Sequence, residues 1–133
     1  MEDVAIVSLE PEHEDDRGRM FKPIDDEELR AVFHITSEPG VVRANHYHKT
    51  QTQWLYLVDG DIELSLQDRR ENEDGTIETH SLAPGDLVRI PPKVAHALQI
   101  HAPTRFFEFM DHAQGPDGEF YDRDTVDVDV LSA

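Results

Sequence analysis

Apolar and polar residues alternate with period two along most of this chain, and turn chemistry interrupts them every eight to twelve residues. Strands are predicted over 4–9, 19–24, 31–37, 41–47, 53–58, 61–67, 76–82, 86–90, 95–101 and 104–110. The breaks carry Gly, Pro and Asp: DRG at 16–18, EPG at 38–40, DG at 59–60, EDG at 73–75, APGD at 83–86 and PP at 91–92. Many short strands at this spacing predict an all-β domain, a sandwich or a closed barrel. The one helical candidate is 25–30, a single turn opened by acidic residues. Beyond Met110 the chain is acidic and turn-rich. Its VDVDV stretch at 126–130 reads as an edge strand, a strand lent to a partner subunit or a solvated tail.

The length of 133 residues fits one domain, with a barrel core over about 31–110, a tail over 111–133 and no internal repeat. Charge narrows the partners. Asp and Glu number 29 against 12 Lys and Arg, a formal charge of −17. Such a surface excludes sequence-independent nucleic-acid binding, which needs cations to displace counterions from phosphates. It excludes an anionic membrane surface for the same reason. Arginine outnumbers lysine nine to three, and acid excess with scarce lysine suits a salt-rich cytoplasm as well as an ordinary acidic protein. The absence of cysteine removes disulfides, thiolate ligands and a Cys nucleophile. The N-terminus shows no cationic and apolar leader, and no apolar run approaches the ~20 residues of a membrane helix. A cytoplasmic protein is expected.

Eight histidines are present, and their positions matter more than their number. His46 and His48 are one residue apart on a predicted strand, so both leave one face; on that parity Val42 and Ala44 join them, while Asn45 and Tyr47 oppose. Gln53 opens the next strand, sharing a face with Leu55 and Leu57. His96 begins another with Leu98 and Ile100. Three imidazoles and an amide oxygen from three strands are thus placed to converge inside a barrel. Neutral imidazole is the commonest protein ligand for Zn, Fe, Ni or Mn, and it is equally a proton acceptor near neutral pH. Either a divalent metal site or a metal-free polar pocket follows from these residues.

The wider spacing carries a resemblance. Gly40, five residues, His46-x-His48, four residues, Gln53, six residues and Gly60 are similar to the first cupin motif, with Gln53 in the place of its Glu. Gly85, five residues, Pro91-Pro92-Lys93, two residues and His96 are similar to the second, with Lys93 for Gly and Ile100 for Asn. The resemblance covers about 31–110. It implies a cupin-type antiparallel jelly-roll barrel with metal ligands at His46, His48, Gln53 and His96, the neutral amide of Gln53 holding a dication more weakly than a carboxylate. Asp16-Arg17-Gly18 and the run Arg43-Ala44-Asn45-His46-Tyr47-His48-Lys49 further resemble the sugar-nucleotide branch. That branch comprises dTDP-sugar 3,4-ketoisomerases, 3,5-epimerases and the cupin domain of capsular polysaccharide-synthesising reductases. Ala44 stands where each has Gly. Tyr56 stands where the epimerases place a lysine, which counts against 3,5-epimerase activity.

What this branch implies is an isomerase or epimerase of a nucleotide-linked keto-sugar in polysaccharide biosynthesis, working by His-mediated proton transfer. His46 is the expected base and His48 the second acid/base or ligand. Arg43, Lys49 and His34 are the expected substrate-binding residues: Arg43 for phosphate oxygens, His34 as pocket wall. Two alternatives stand beside it, a metal-dependent dioxygenase-like cupin and a non-catalytic module that binds a small sugar or metabolite. Trp54 and Tyr56, predicted to point away from the interior, lead us to expect a homodimer. Phe106, Phe107 and Phe109 are expected in the core. His13, His80, His101 and His112 are expected in solvent, and Tyr121 is placed by its tail position alone to reach over the barrel mouth.

Overall fold

Alternation of this kind buries one face of every strand, and two such faces closing on each other exclude water from both. The computed structural model describes residues 1–71 and 75–131, so most of the predicted 73–75 turn lies outside the described residues. Its strands are β1 (Ala5–Ser8), β2 (His13–Asp15), β3 (Gly18–Met20), β4 (Ala31–Ser37), β5 (Val42–His48), β6 (Gln53–Asp59), β7 (Ile62–Asp68), β8 (Ile77–Leu82), β9 (Asp86–Ile90), β10 (Val94–Ile100), β11 (Thr104–Met110) and β12 (Thr125–Asp127). One short helix, α1 (Glu119–Asp124), precedes β12. Two five-stranded sheets form, ordered β1-β9-β6-β11-β4 and β12-β5-β10-β7-β8, and β2 pairs only with β3. Every pairing is antiparallel. This is the jelly-roll barrel the motifs imply.

Leu55, Leu57, Ile62, Leu64, Leu66, Val88, Ile90, Leu98, Ile100 and Phe106 fill the space between the sheets, and each is almost wholly removed from water. Each such side chain contributes roughly 1.5–3 kcal/mol. Gly60, the last residue of the first motif, has φ +117, and a Cβ there would collide with Thr104. Only glycine fits that turn between β6 and β7.

Three expectations change, and one left open is decided. Residues 25–30 form no helix: 25–27 is a bend, and the Arg30 N–H already bonds the Met110 carbonyl at 2.8 Å, as an incoming strand does. A six-residue acidic stretch offers too few bonds to repay nucleation. The strand predicted over 19–24 ends at Met20, because Pro23 cannot donate to a ladder. Phe107 and Phe109 lie outside, opposite Tyr56 and Trp54, while Phe106 alone of the three enters the core. Finally, the tail is ordered: β12 pairs with β5, and Val130 is buried against Ala95 and Ala97 on the outer face of the second sheet. Trp54 is also 5% exposed, with the Arg89 guanidinium 5.8 Å above its ring, so part of the apolar outer face is covered within one chain. Among the described residues no helix is long and apolar enough to cross a membrane.

The feature that places the site is a bulge in β5. Its pairing with β10 runs Val42↔Gln99, Arg43↔Leu98, Ala44↔Ala97 and then His46↔His96, leaving Asn45 without a partner. Ala44 and Asn45 both have left-handed backbones, φ 64 and 62. An extra residue reverses the parity beyond it. Arg43, across from the inward Leu98, therefore shares the face of His46 and lines the cavity as an exposed side chain, and Val42 does not. The freed Asn45 side chain grips the returning tail: its Oδ1 accepts from the Val130 and Leu131 N–H groups at 2.8 and 3.2 Å, and its Nδ2 donates to the Leu131 carbonyl at 3.1 Å.

Candidate functional site

Where β5, β6 and β10 converge, the inward positions change from aliphatic to polar. His46, His48 and His96 come from β5 and β10, with ring centroids 4.8 Å apart for His46–His48 and His46–His96, and 5.6 Å for His48–His96. Exposures of 8%, 2% and 0% single out His46 as the ring that solvent and a ligand can reach. Burial holds the His46 pKa down at about 4, and neighbouring His48 adds to the effect. Burial also lowers His48, and it lowers fully buried His96 well below its ordinary value. All three rings are therefore neutral at pH 7, each with one unprotonated nitrogen.

Their hydrogen bonds differ. His96 Nδ1 lies 3.1 Å from the Val94 carbonyl and must donate to it, which leaves a buried Nε2 lone pair with no partner. His48 Nε2 is 3.0 Å from Gln53 Oε1, and its Nδ1 is 3.2 Å from the Thr125 hydroxyl. No hydrogen bond holds the His46 ring among the described residues. Gln53 Nε2 in turn donates to the carboxylate of Glu108 on β11. Burial pushes Glu108 up to about 7, against the pull of Arg43.

Beside this cluster lies a cavity of about 520 Å³, whose lining includes apolar Phe33, Ile35 and Met110 and polar Arg43, Glu108, Gln114 and Tyr121. That is space for a sugar ring with its substituents. Arg43 makes no ion pair among the described residues. Tyr121, on α1, joins the cavity to the histidines, its ring 6.1 Å from His46 and 5.7 Å from His48. Burial, and then the Glu108 charge, raise its phenol above the ordinary tyrosine value, so it stays protonated. The segment is pinned by buried Asp124, whose carboxylate accepts from Thr50 N (2.9 Å), Thr50 Oγ1 (2.6 Å) and Gln51 N (3.2 Å).

The structure thus gathers His46, His48, Gln53, His96 and Arg43 as expected. His34 is a correction. It lies on the outer face of β4, exposed and stacked on Phe107 at 4.9 Å, because the inward parity of that strand belongs to Phe33 and Ile35. Lys49 is exposed at the end of β5, held by its backbone N–H to the Asp124 carbonyl, and does not line the cavity. Tyr56 faces outward, across from Phe107. Glu108 escaped the sequence reading, although an acid at the inward parity of Phe106 and Met110 is the signal that finds it.

Do these residues suit a divalent metal? Three neutral imidazoles place their ligand atoms within 4.8 Å of one another, and among the described residues they are the one such cluster of histidine or acidic ligands. The orphaned Nε2 of His96, its other nitrogen fixed by a carbonyl, is what a metal-ligating histidine presents. The donor set fits.

A family model for the polysaccharide biosynthesis C-terminal domain matches residues 13–127. The chain belongs to that family. It is 32% identical over 116 residues to the spore coat polysaccharide biosynthesis protein SpsL of Bacillus subtilis, covering 79% of this domain and 77% of SpsL. Among solved structures it resembles the sugar 3,4-ketoisomerase QdtA of Thermoanaerobacterium thermosaccharolyticum in complex with TDP, at TM-score 0.74 and 16% identity over 95% of this domain and 88% of QdtA. It resembles equally the 3,5-epimerase RmlC of Legionella pneumophila in complex with dTDP-4-keto-L-rhamnose, at TM-score 0.74 and 17% identity over 88% of this domain and 71% of RmlC. At these identities the two likenesses establish the cupin fold.

The polysaccharide-domain site also sets a pH dependence. His46 titrates near 6.5 when unfolded and about 4 when folded, so the unfolded chain binds the extra proton between those values. Stability is full above pH 6.5 and falls toward pH 4, by roughly 3 kcal/mol for this ring alone. Glu108 opposes it, since a carboxyl raised to about 7 loses stability as pH rises from about 4.5. Urea unfolding of wild type and His46→Gln across that range checks this: the variant's stability should fall less steeply below pH 6.5, and parallel curves would exclude it.

Proposed function

We propose that this domain moves the carbonyl of a nucleotide-linked keto-sugar along its ring, as a sugar-nucleotide isomerase or epimerase in polysaccharide synthesis. The observation that carries the proposal is a reachable neutral imidazole, His46, joined through Tyr121 to a cavity whose wall includes the cation Arg43. The guanidinium suits a nucleotide phosphate. His46 takes the proton from the carbon beside the ketone, and the C–H electron pair forms the C=C bond of an enediol. The protonated Tyr121 phenol supplies a proton to the former carbonyl oxygen. The neighbouring hydroxyl becomes the new carbonyl, its proton returns to Tyr121, and His46 delivers its own proton to the former carbonyl carbon. The overall change is redox-neutral. The family match and the relatives' substrates support this choice of ligand, and outward Tyr56 favours 3,4-isomerisation over 3,5-epimerisation.

Incubation with dTDP-4-keto-6-deoxyglucose in D₂O, followed by NMR, tests it. Wild type should place deuterium on the ring, and His46→Asn should lose about 10²–10⁴-fold in rate. A wild-type protein that neither exchanges deuterium nor binds any nucleotide sugar would sink the proposal. Ligand binding without exchange would mark a non-catalytic binding module.

A second reading is favoured by the orphaned His96 Nε2: a divalent metal, Zn, Fe, Mn or Ni, held by His46, His48 and His96 with the Gln53 oxygen beside them. When bound, it would polarise the substrate carbonyl as a Lewis acid. A dioxygenase-like cupin would need a redox metal there. The proposal also includes a homodimer, since Val7, Val32 and Val58 on the outer face of the first sheet remain exposed. A native mass spectrum with elemental analysis addresses both. Two chains of 15.2 kDa each, with one metal per chain lost in His96→Ala, are expected on this reading. A bare monomer contradicts it.

A further inference from the structure

Gln53 fills the place where the first cupin motif has a carboxylate, and Glu108 supplies a carboxylate one contact away. Consider what the chain Glu108–Gln53–His48–Thr125 permits. An amide can face His48 with either end, and the Thr125 hydroxyl can either give a proton to His48 Nδ1 or accept one. Taken alone, Gln53, His48 and Thr125 therefore tolerate both tautomers of His48. An ionised carboxylate only accepts. It forces Gln53 Nε2 toward β11, which turns Gln53 Oε1 toward His48, 3.0 Å from Nε2. The proton must then sit on Nε2, and Nδ1 must accept from Thr125 across 3.2 Å.

We propose that Glu108 is a positioning residue: by holding Gln53 it presents the amide oxygen to the histidine cluster and locks metal-free His48 in the Nε2–H tautomer. His46, with no hydrogen bond to its ring among the described residues, is left as the one ring of the pair with an uncommitted nitrogen to take a proton. Glu108 is half-buried in the cavity wall and accepts directly from Gln53 Nε2, and that contact makes the selection. Its consequence for turnover rests on the isomerase proposal, whereas the tautomer does not.

The test is long-range ¹H–¹⁵N NMR of the full chain, ¹⁵N-labelled at histidine and stripped with EDTA, at about pH 8.5 where carboxylates are ionised and imidazoles neutral. His48 is assigned by comparison with His48→Gln. Wild type should show a protonated Nε2 and a bare Nδ1 on His48. In Glu108→Leu, close in size and unable to accept, the Nδ1–H form should appear in substantial proportion. Gln53→Leu should abolish the influence of residue 108, so that the double variant matches Gln53→Leu. Should Glu108→Leu not fold, Glu108→Gln, which can hold either end of Gln53, should give the same mixture. A wild-type His48 protonated at Nδ1, or a tautomer unmoved in the 108 variants, overturns the proposal. If nucleotide sugars are turned over, Glu108→Leu should lower kcat with KM little changed. If wild type turns over none, the isomerase reading falls and the NMR result still decides the role of Glu108.

Discussion

The buried carboxylate of Asp124 is the contact on which the site depends. A carboxylate 4% exposed is costly unless several donors meet it, and Thr50 and Gln51 provide three. Those bonds fasten the chain after α1 to the turn between β5 and β6. Everything distal to the barrel follows from that anchor. β12 is carried onto β5, Thr125 reaches His48, and Tyr121 is laid against the edges of both motif histidines. The Asn45 grip on residues 130 and 131 closes the far side of the same strand. The segment thus covers the end of β5 that carries His46 and His48, as an added edge strand of the same sheet.

Two backbone irregularities show how the family pattern is realised with different residues. The resemblance has glycine where this chain has Ala44 and Lys93, and both adopt left-handed backbones with φ 64. An L side chain there costs roughly 1–2 kcal/mol. The cost is tolerated at Ala44 because the bulge it opens turns Arg43 inward, and at Lys93 because its N–H meets the His48 carbonyl at 2.7 Å. Ala44 lies on β5 and Lys93 in the turn just before β10, so both distortions adjoin the histidines.

Period-two alternation was enough to find most sheet strands and an all-β sandwich or barrel, because each strand buries one face and the turns carry Gly, Pro and Asp; the jelly roll followed from the cupin resemblance. Motif spacing was enough to gather His46, His48, Gln53 and His96. What was not legible were events that break the period. The bulge at Asn45 inverts parity, so Val42 and Arg43 exchanged faces. On β4 the same rule, applied without knowing which face was inward, left His34 in the wrong layer. β2, with the polar run His13–Asp15, has no alternation to detect. The ordering of the tail depends on contacts more than seventy residues away in sequence, Asp124 with Thr50 and Asn45 with Val130, and no local pattern encodes these. Tail position alone suggested Tyr121 over the barrel mouth, and only these tertiary contacts account for its place beside the histidines.

The central claim is that the pinned C-terminal segment shields the histidines from water and so keeps His46 neutral as a base. The direct measurement is the NMR titration of His46 in wild type and in Asp124→Ala, with core methyl resonances confirming that the barrel stays folded. Removing a negative charge lowers a histidine pKa, whereas admitting water to a buried one raises it, so the two effects have opposite signs. The account predicts that His46 titrates at about 4 in wild type and climbs toward 6.5 in the variant. A His46 that titrates unchanged, or lower, in Asp124→Ala would contradict it.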